Sequence, residues 1–287
     1  MSSCILLFYI CIHAASAQDA NALYADRTNL ASARRAADFW RADLARSPQA
    51  FDTAWKLARA DYWLGGHVPE NEQRAFFEEG IEAGRRAVAL QPNRPEGHFW
   101  IAASMGALAE SLGFRGIKYR KPIKEELETV LRLDSAFQQG SADRALGRWY
   151  FKVPRLLGGS RSLAERHLRE SLKYNPNSTS SHFFLAEVLL DDGRTADARA
   201  ELQRVLDAPF DPEWTPENQD FKAKARALLQ RLSHTKDTKD TKEEPSFVLI
   251  ARMNRTRDRS FVRAVRPEPF VSTGAAARTP ARETPRT

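Results

Sequence analysis

Small and large apolar residues alternate at helical spacing along most of the chain. Leu146-Gly147-Arg148-Trp149-Tyr150 opens one such stretch, and Ala164, Leu168 and Ser171 continue it up to Pro176. Ala164 and Ser171 fall two turns apart on one helical face, with Leu168 between them as a knob for a neighbouring groove. Gly147 is small enough to let a paired helix come close, and Tyr150 fills the space beside it. Pro176 stops the second helix and turns the chain. The pattern predicts two antiparallel helices whose shared apolar face needs further helices to cover it.

Those helices follow in both directions. Downstream, Leu185-Ala186 and Leu189 precede a turn at Asp191-Asp192-Gly193, then come Ala198, Leu202, Val205 and Pro209. Upstream, Trp55, Ala58 and Tyr62 open a helix that Gly80, Gly84, Ala87 and Pro92 complement. Between them lie Phe99 and Ala103 on one helix, and Ile123, Leu127 and Val130 on the next. The terminators Pro48, Pro92, Ser135, Pro176 and Pro209 are 44, 43, 41 and 33 residues apart, with Ser135 where a proline would be usual. The pattern resembles the tetratricopeptide repeat (TPR), whose period is about 34 residues. On that basis the first three units carry inserts of roughly 7–10 residues and the fourth none. The expected fold is all-α: a right-handed superhelical solenoid of about four TPR-like helix pairs with capping helices. Helices before Pro48 cap one end. The segment from Pro216 to Leu232, with Phe221, Ala225, Leu228 and Leu229 at helical spacing, caps the other.

The two ends differ from this body. Residues 5–12 form an apolar run, and Ala15-Ser16-Ala17 reads as a cleavage site before Gln18. The expectation is a signal peptide over 1–17, a repeat domain over 18–232 and a mature periplasmic protein; an uncleaved anchor helix is the alternative. Cleavage would remove Cys4 and Cys11, and with them every thiol. From Ser233 the chain turns polar and then arginine-rich. Residues 233–287 hold 12 Lys and Arg against 7 Asp and Glu, so most of the net charge of +7 belongs to them. Such a segment is expected to be a solvated basic tail.

Motifs for chemistry are missing. There is no zinc-protease, phosphate-loop, nucleophile-elbow or dinucleotide fingerprint. Gly158-Gly159-Ser160 lacks the lysine of a phosphate loop and reads as a turn. Ser162 with Glu165 reads as a capping box for the helix that follows. His98, His167 and His182 each stand on a helix without a ligand partner four residues on, so packed histidines are expected rather than metal ligands. No catalytic residue, cofactor or metal is expected.

One region crowds cations among aromatics: Arg144, Arg148, Trp149, Tyr150, Lys152 and Arg155. Trp149 and Tyr150 are either core residues with solvated cations around them or the wall of a groove. Inserts over 63–72, 112–122 and 152–161 would form one rim of the stack. The candidate groove set is His98, Trp100, Tyr119, Arg144, Arg148, Trp149, Tyr150, Arg155 and His182.

Three strings carry a narrower likeness: His98-Phe99-Trp100 with Gly113 to Tyr119; Ala142 to Pro154 leading to Gly158-Gly159-Ser160; and Asn175-Pro176 with His182 to Glu187. Together, over about residues 50–232, they resemble the T-component family of tripartite ATP-independent periplasmic (TRAP) transporters. That resemblance implies a non-enzymatic accessory of a periplasmic solute-binding protein that handles a small apolar ligand. A generic scaffold for an envelope complex is the alternative. A second copy of the chain is another candidate partner, and nucleic acid is not expected. A fainter resemblance links the repeats to eukaryotic regulators of microtubule dynamics; the export signal weighs against it.

Overall fold

The computed structural model describes residues 19–239, so the signal segment over 1–17 and nearly all of the expected tail over 233–287 lie outside the described residues. After a short helix α1 (19–25) come α2 (Leu30–Arg46), α3 (Phe51–His67), α4 (Glu70–Leu90) and α5 (Pro95–Leu112). Then follow α6 (Arg120–Leu133), α7 (Phe137–Lys152), α8 (Arg161–Tyr174), α9 (Thr179–Asp191), α10 (Thr195–Asp207) and α11 (Thr215–Lys239). No strand occurs among the described residues. Contacts divide the chain into units 1–243 and 244–287, and the described residues all belong to the first.

Successive helices pack as the pairs α3/α4, α5/α6, α7/α8 and α9/α10, with α1, α2 and α11 at the ends. The first helices of the pairs also touch in series, α3 to α5 to α7 to α9 to α11. This makes a helical repeat superhelix with one continuous inner wall. The small residues of the pattern are the reason the helices fit. A Cβ on Gly147 would stand 2.6 Å from Leu168 Cγ and 3.1 Å from the Ala164 carbonyl oxygen. One on Gly84 would stand 2.7 Å from Ile101 Cγ1. Ala58, Ala87, Ala164, Ala186 and Ala198 are fully buried at equivalent contacts.

The inserts take three different forms. In unit one the extra residues lengthen the helices, so that α4 alone has 21 residues and only Val68 and Pro69 separate it from α3. In unit two they form a 3-10 helix, Gly113–Tyr119, and in unit three a shorter one, Arg155–Leu157. A rim over 63–72 therefore does not exist as a loop. Ser135 stands in a different kind of turn from the proline terminators. Asp134 Oδ1 accepts from the Ala136 amide at 2.9 Å, and Gln138, Gln139 and Gly140 all have positive φ, which bends the entry to α7.

Two boundaries differ from expectation. Ser160, not Ser162, caps α8, its Oγ accepting from the Leu163 amide at 3.3 Å. Ser160 precedes the first helical residue in extended backbone, which is what a cap requires. Glu165 is turned instead to Arg169 and Arg194. At the other end α11 continues past Leu232 to Lys239, because a helix end needs no apolar face once the rest of the helix is docked.

A candidate binding channel along the inner wall

The inner wall repeats its residues in register. Tyr62, Gly106, Arg144 and Phe183 lie 44, 38 and 39 residues apart, one from each of α3, α5, α7 and α9. One turn on, Glu110, Arg148 and Glu187 repeat the spacings 38 and 39. Side-chain contacts agree with this register. The Arg148 guanidinium donates to Glu110 at 3.0 Å and to Glu187 at 3.2 Å, and lies 4.6 Å from the Phe184 ring centroid. Burial works against the Arg148 charge, yet the two carboxylates hold its pKa above the ordinary range.

Arg144 has no such partners. It makes no hydrogen bond or ion pair with any described residue, and desolvation pushes its pKa down to about 10 against the pull of Tyr62. Tyr62 combines 36 % exposure with enough burial to raise its phenol pKa, chiefly by desolvation and then by Glu110. Surface that is accessible yet closely lined by neighbouring helices marks the candidate channel. The Trp100 ring packs 5.6 Å from that of Tyr62, and the Trp100 indole N–H is buried with no acceptor. A Cβ on Gly106 would meet nothing within 4 Å. The Arg144 guanidinium, the Tyr62 phenol backed by Trp100, and an open space at Gly106 thus lie along the inner faces of α3, α5 and α7.

The channel is closed on itself by α11. Phe221 packs against Phe183 and Phe184 at 5.6 and 5.4 Å, and Thr179 donates to Asn218 at 2.9 Å. Glu217, near the start of α11, reaches Arg27 at the opposite end of the chain.

The nine residues expected to form one groove occupy three places. Arg144 and Arg148 are on the channel wall, and the buried Trp100 backs it through Tyr62. His98, His182, Trp149 and Tyr150 lie between helices. His98 is held by the Pro92 carbonyl oxygen at 2.9 Å and by Glu126, and His182 by the Pro176 carbonyl oxygen at 2.8 Å and by Glu201. A carbonyl oxygen only accepts, so each ring donates to it from Nε2, and Nδ1 faces the carboxylate. His167 Nδ1 lies 2.7 Å from Asp143 Oδ1. Trp149 donates to the Arg120 carbonyl at 2.8 Å, and Tyr150 stacks on His167 at 5.3 Å, so both are core residues. Tyr119 and Arg155 belong to the two 3-10 loops outside the channel. The sequence reading missed Tyr62, Gly106, Glu110 and Glu187 as wall residues. Aligning the polar positions of the first helices by the repeat spacing would have found them. Among the described residues, no cluster of three or more His, Cys, Asp or Glu could hold a metal ion.

A superhelix of paired helices around an enclosed inner wall defines a TPR-class solenoid. A model of the family "Regulator of microtubule dynamics protein 1-3" matches residues 17–233, and the chain belongs to that family. The fainter of the two resemblances in the sequence is therefore the one that holds, and nothing found points to the TRAP T-components. No curated protein sequence matches the chain. Among solved structures it is similar to a thermophilic TPR protein of Thermus thermophilus, with 21% identity over 75% of this chain and 99% of that one, at a TM-score of 0.57. It is more distantly similar to MamA, with 14% identity over 69% and 95% of the two chains, at a TM-score of 0.43. A further distant likeness is to an IFIT1 mutant solved with m7Gppp-AAAA, with 15% identity over 87% of this chain and 60% of that one, at a TM-score of 0.44.

Proposed function

We propose that this protein is a non-enzymatic binding module that holds an acidic segment of a protein partner in its inner channel. The observation that carries the reading is Arg144, a half-buried inner-wall cation that feels Tyr62 but has no counter-charge among the described residues, in register with the open space at Gly106. A partly desolvated cation without a counter-charge costs some stability, and a carboxylate that pairs with it recovers that cost. The test is a fluorescence-anisotropy titration of a labelled oligoglutamate peptide against the full chain and its Arg144→Met variant. Loss of one charge-assisted hydrogen bond in the channel should weaken binding about tenfold. Equal affinities would place the peptide elsewhere, for instance on the basic C-terminal segment, which both proteins share.

The family's name makes a component of the microtubule system the first partner to try. Association with a periplasmic solute-binding protein of a TRAP system is the narrower alternative, supported by the sequence strings alone. Export rests on the apolar run over 5–12 and Ala15-Ser16-Ala17. Mass spectrometry of the protein from its native host decides it: a chain starting at Gln18 supports export, and a retained Met1 removes the argument for the periplasm.

A further inference from the structure

Trp149 touches both 3-10 loops, those between the helices of units two and three. Its indole N–H donates to the Arg120 carbonyl at the end of the first loop, 2.8 Å away. Its Cη2 lies 3.6 Å from where a Cβ on Gly158 would be, at the end of the second. Each loop presents large apolar side chains to solvent. Phe114 is 86% exposed and Leu156 is 98% exposed, with Leu157 beside it at 37%.

These tips are held in place. Gly116 packs so tightly that a Cβ would stand 2.1 Å from the Ala109 carbonyl oxygen, and one on Gly159 would stand 1.7 Å from that of Val153. The Ser160 amide donates to the Tyr150 carbonyl at 2.9 Å, tying the second loop down on α7. Rigid backbone therefore keeps apolar side chains in water at a standing cost.

The loop segments themselves carry charge of one sign, while Lys121 and Lys124 pair with Glu125 and Glu128 on α6 and Arg161 pairs with Asp191. Residues 111–124 contain Arg115, Lys118, Arg120, Lys121 and Lys124 and no acid; residues 144–164 contain Arg144, Arg148, Lys152, Arg155 and Arg161 and no acid. Arg144 and Arg148 face the channel, but Arg115, Lys118, Lys121 and Arg155 are exposed on or beside the loops. The neighbouring edges differ, since Glu70 and Glu72 lie in the first turn of α4, and Asp191 and Asp192 at the end of α9.

We infer that this edge docks on an anionic lipid membrane, with Phe114 and Leu156 entering the interface and the surrounding lysines and arginines meeting the head groups. Short apolar wedges flanked by cations are what an interfacial anchor needs. The apolar part supplies transfer free energy, and the basic part supplies attraction to a negative surface. The site is distinct from the channel, so a membrane-docked module would keep its inner wall available to a partner.

The test is co-flotation of the full chain with phosphatidylcholine vesicles, with and without phosphatidylserine. The expected result is binding to the phosphatidylserine vesicles that falls as salt rises. Phe114→Ser and Leu156→Ser should each lower the partition by about tenfold. Lys118→Glu with Arg155→Glu, which keeps both apolar tips, should lower binding to anionic vesicles alone. All four positions are exposed, so melting midpoints should not move, and both terminal segments are common to every variant. No flotation of the parent, or flotation of the Phe114→Ser/Leu156→Ser double variant equal to the parent's, overturns the inference. So does retention of single-stranded RNA, without vesicle binding, that these substitutions abolish.

Discussion

Arg27 and Glu217 are 190 residues apart in the chain and meet as a two-pronged ion pair, with Nη2 to Oε2 at 2.5 Å and Nε to Oε1 at 3.1 Å. Arg27 also donates to the Glu213 carbonyl at 2.9 Å, and its own carbonyl accepts from the Trp63 indole at 3.0 Å. A solenoid normally has two independent ends. Here the helix that covers the last unit returns across the inner wall to the first.

The pair should therefore matter more than a surface salt bridge. Its side chains are 5% and 24% exposed, so removing one charge strands the other in a mostly dry site. Glu217→Leu should cost about 2–3 kcal/mol in urea unfolding, somewhat below the range for a fully buried pair because water reaches Glu217. Arg27→Met added to Glu217→Leu should recover part of that loss. An additive double variant would mean that the two ends are not coupled through this contact.

Two glycines on the paired helices should respond in opposite directions. Gly147 has Leu168 and the Ala164 carbonyl against it, so Gly147→Leu overpacks α7 on α8 and should cost on the order of 1–3 kcal/mol. Gly106 has open space where a Cβ would go, so Gly106→Ala should stabilise α5 by up to about 1 kcal/mol. If the space at Gly106 belongs to a ligand, a larger substitution such as Gly106→Leu should leave the fold intact and weaken binding of the acidic peptide. Thermal midpoints and the anisotropy titration separate these outcomes.

Stability should fall as pH rises from about 4, and Asp61 should be the main reason below pH 6. Asp61 is fully buried, one oxygen accepts from Arg41 at 3.2 Å, and the other has no partner. Burial, partly opposed by Arg41, pushes its pKa up to about 8. Its unfolded value is about 3.9. Between the two values the folded state holds a proton that the unfolded state has lost, so raising the pH favours unfolding. Asp61→Asn should flatten this slope and gain at least about 1 kcal/mol at pH 8. His98 adds a second fall at higher pH. Its hydrogen bond to Glu126 raises its pKa in spite of burial, so its contribution is complete below about 6.5 and is lost as pH passes the folded value. His98→Gln should remove the upper part of the slope only.

Helix order and pairing were legible in the sequence because small residues recur at contacts that only small residues allow. Gly147 against Leu168 and Ala164 is the plainest case. The wall of the channel was less legible. Tyr62 and Gly106 carry no motif of their own, and they come into register with Arg144 only after five helices, α3 to α7, have stacked. Trp149 misled in the other direction: its cationic neighbours suggested a groove, but its N–H found a backbone carbonyl and its ring found the core. The meeting of Arg27 and Glu217 depends on the curvature of the whole superhelix, which no local pattern encodes. His98 and His182 show the same limit, since their carboxylates lie on the partner helices, 28 and 19 residues away.

Trp149 offers a test that separates wall from core. It is 9% exposed, meets Tyr150 edge to face at 4.9 Å, and has Lys124 Nζ 5.6 Å from its ring. Trp149→Ala would empty that space, release the Arg120 carbonyl and remove the side chain that touches both loops. The expected cost is about 3–5 kcal/mol, with the midpoint of urea unfolding falling accordingly. Trp149→Phe keeps most of the packing and loses the hydrogen bond, so it should cost only about 1 kcal/mol. Arg144, five residues away on the channel side, should behave in the opposite manner. Arg144→Met should leave stability unchanged or raised, because the cation it removes has no counter-charge, while peptide binding drops. A destabilised Arg144→Met together with a fully stable Trp149→Ala would reverse the assignment of the two faces of α7.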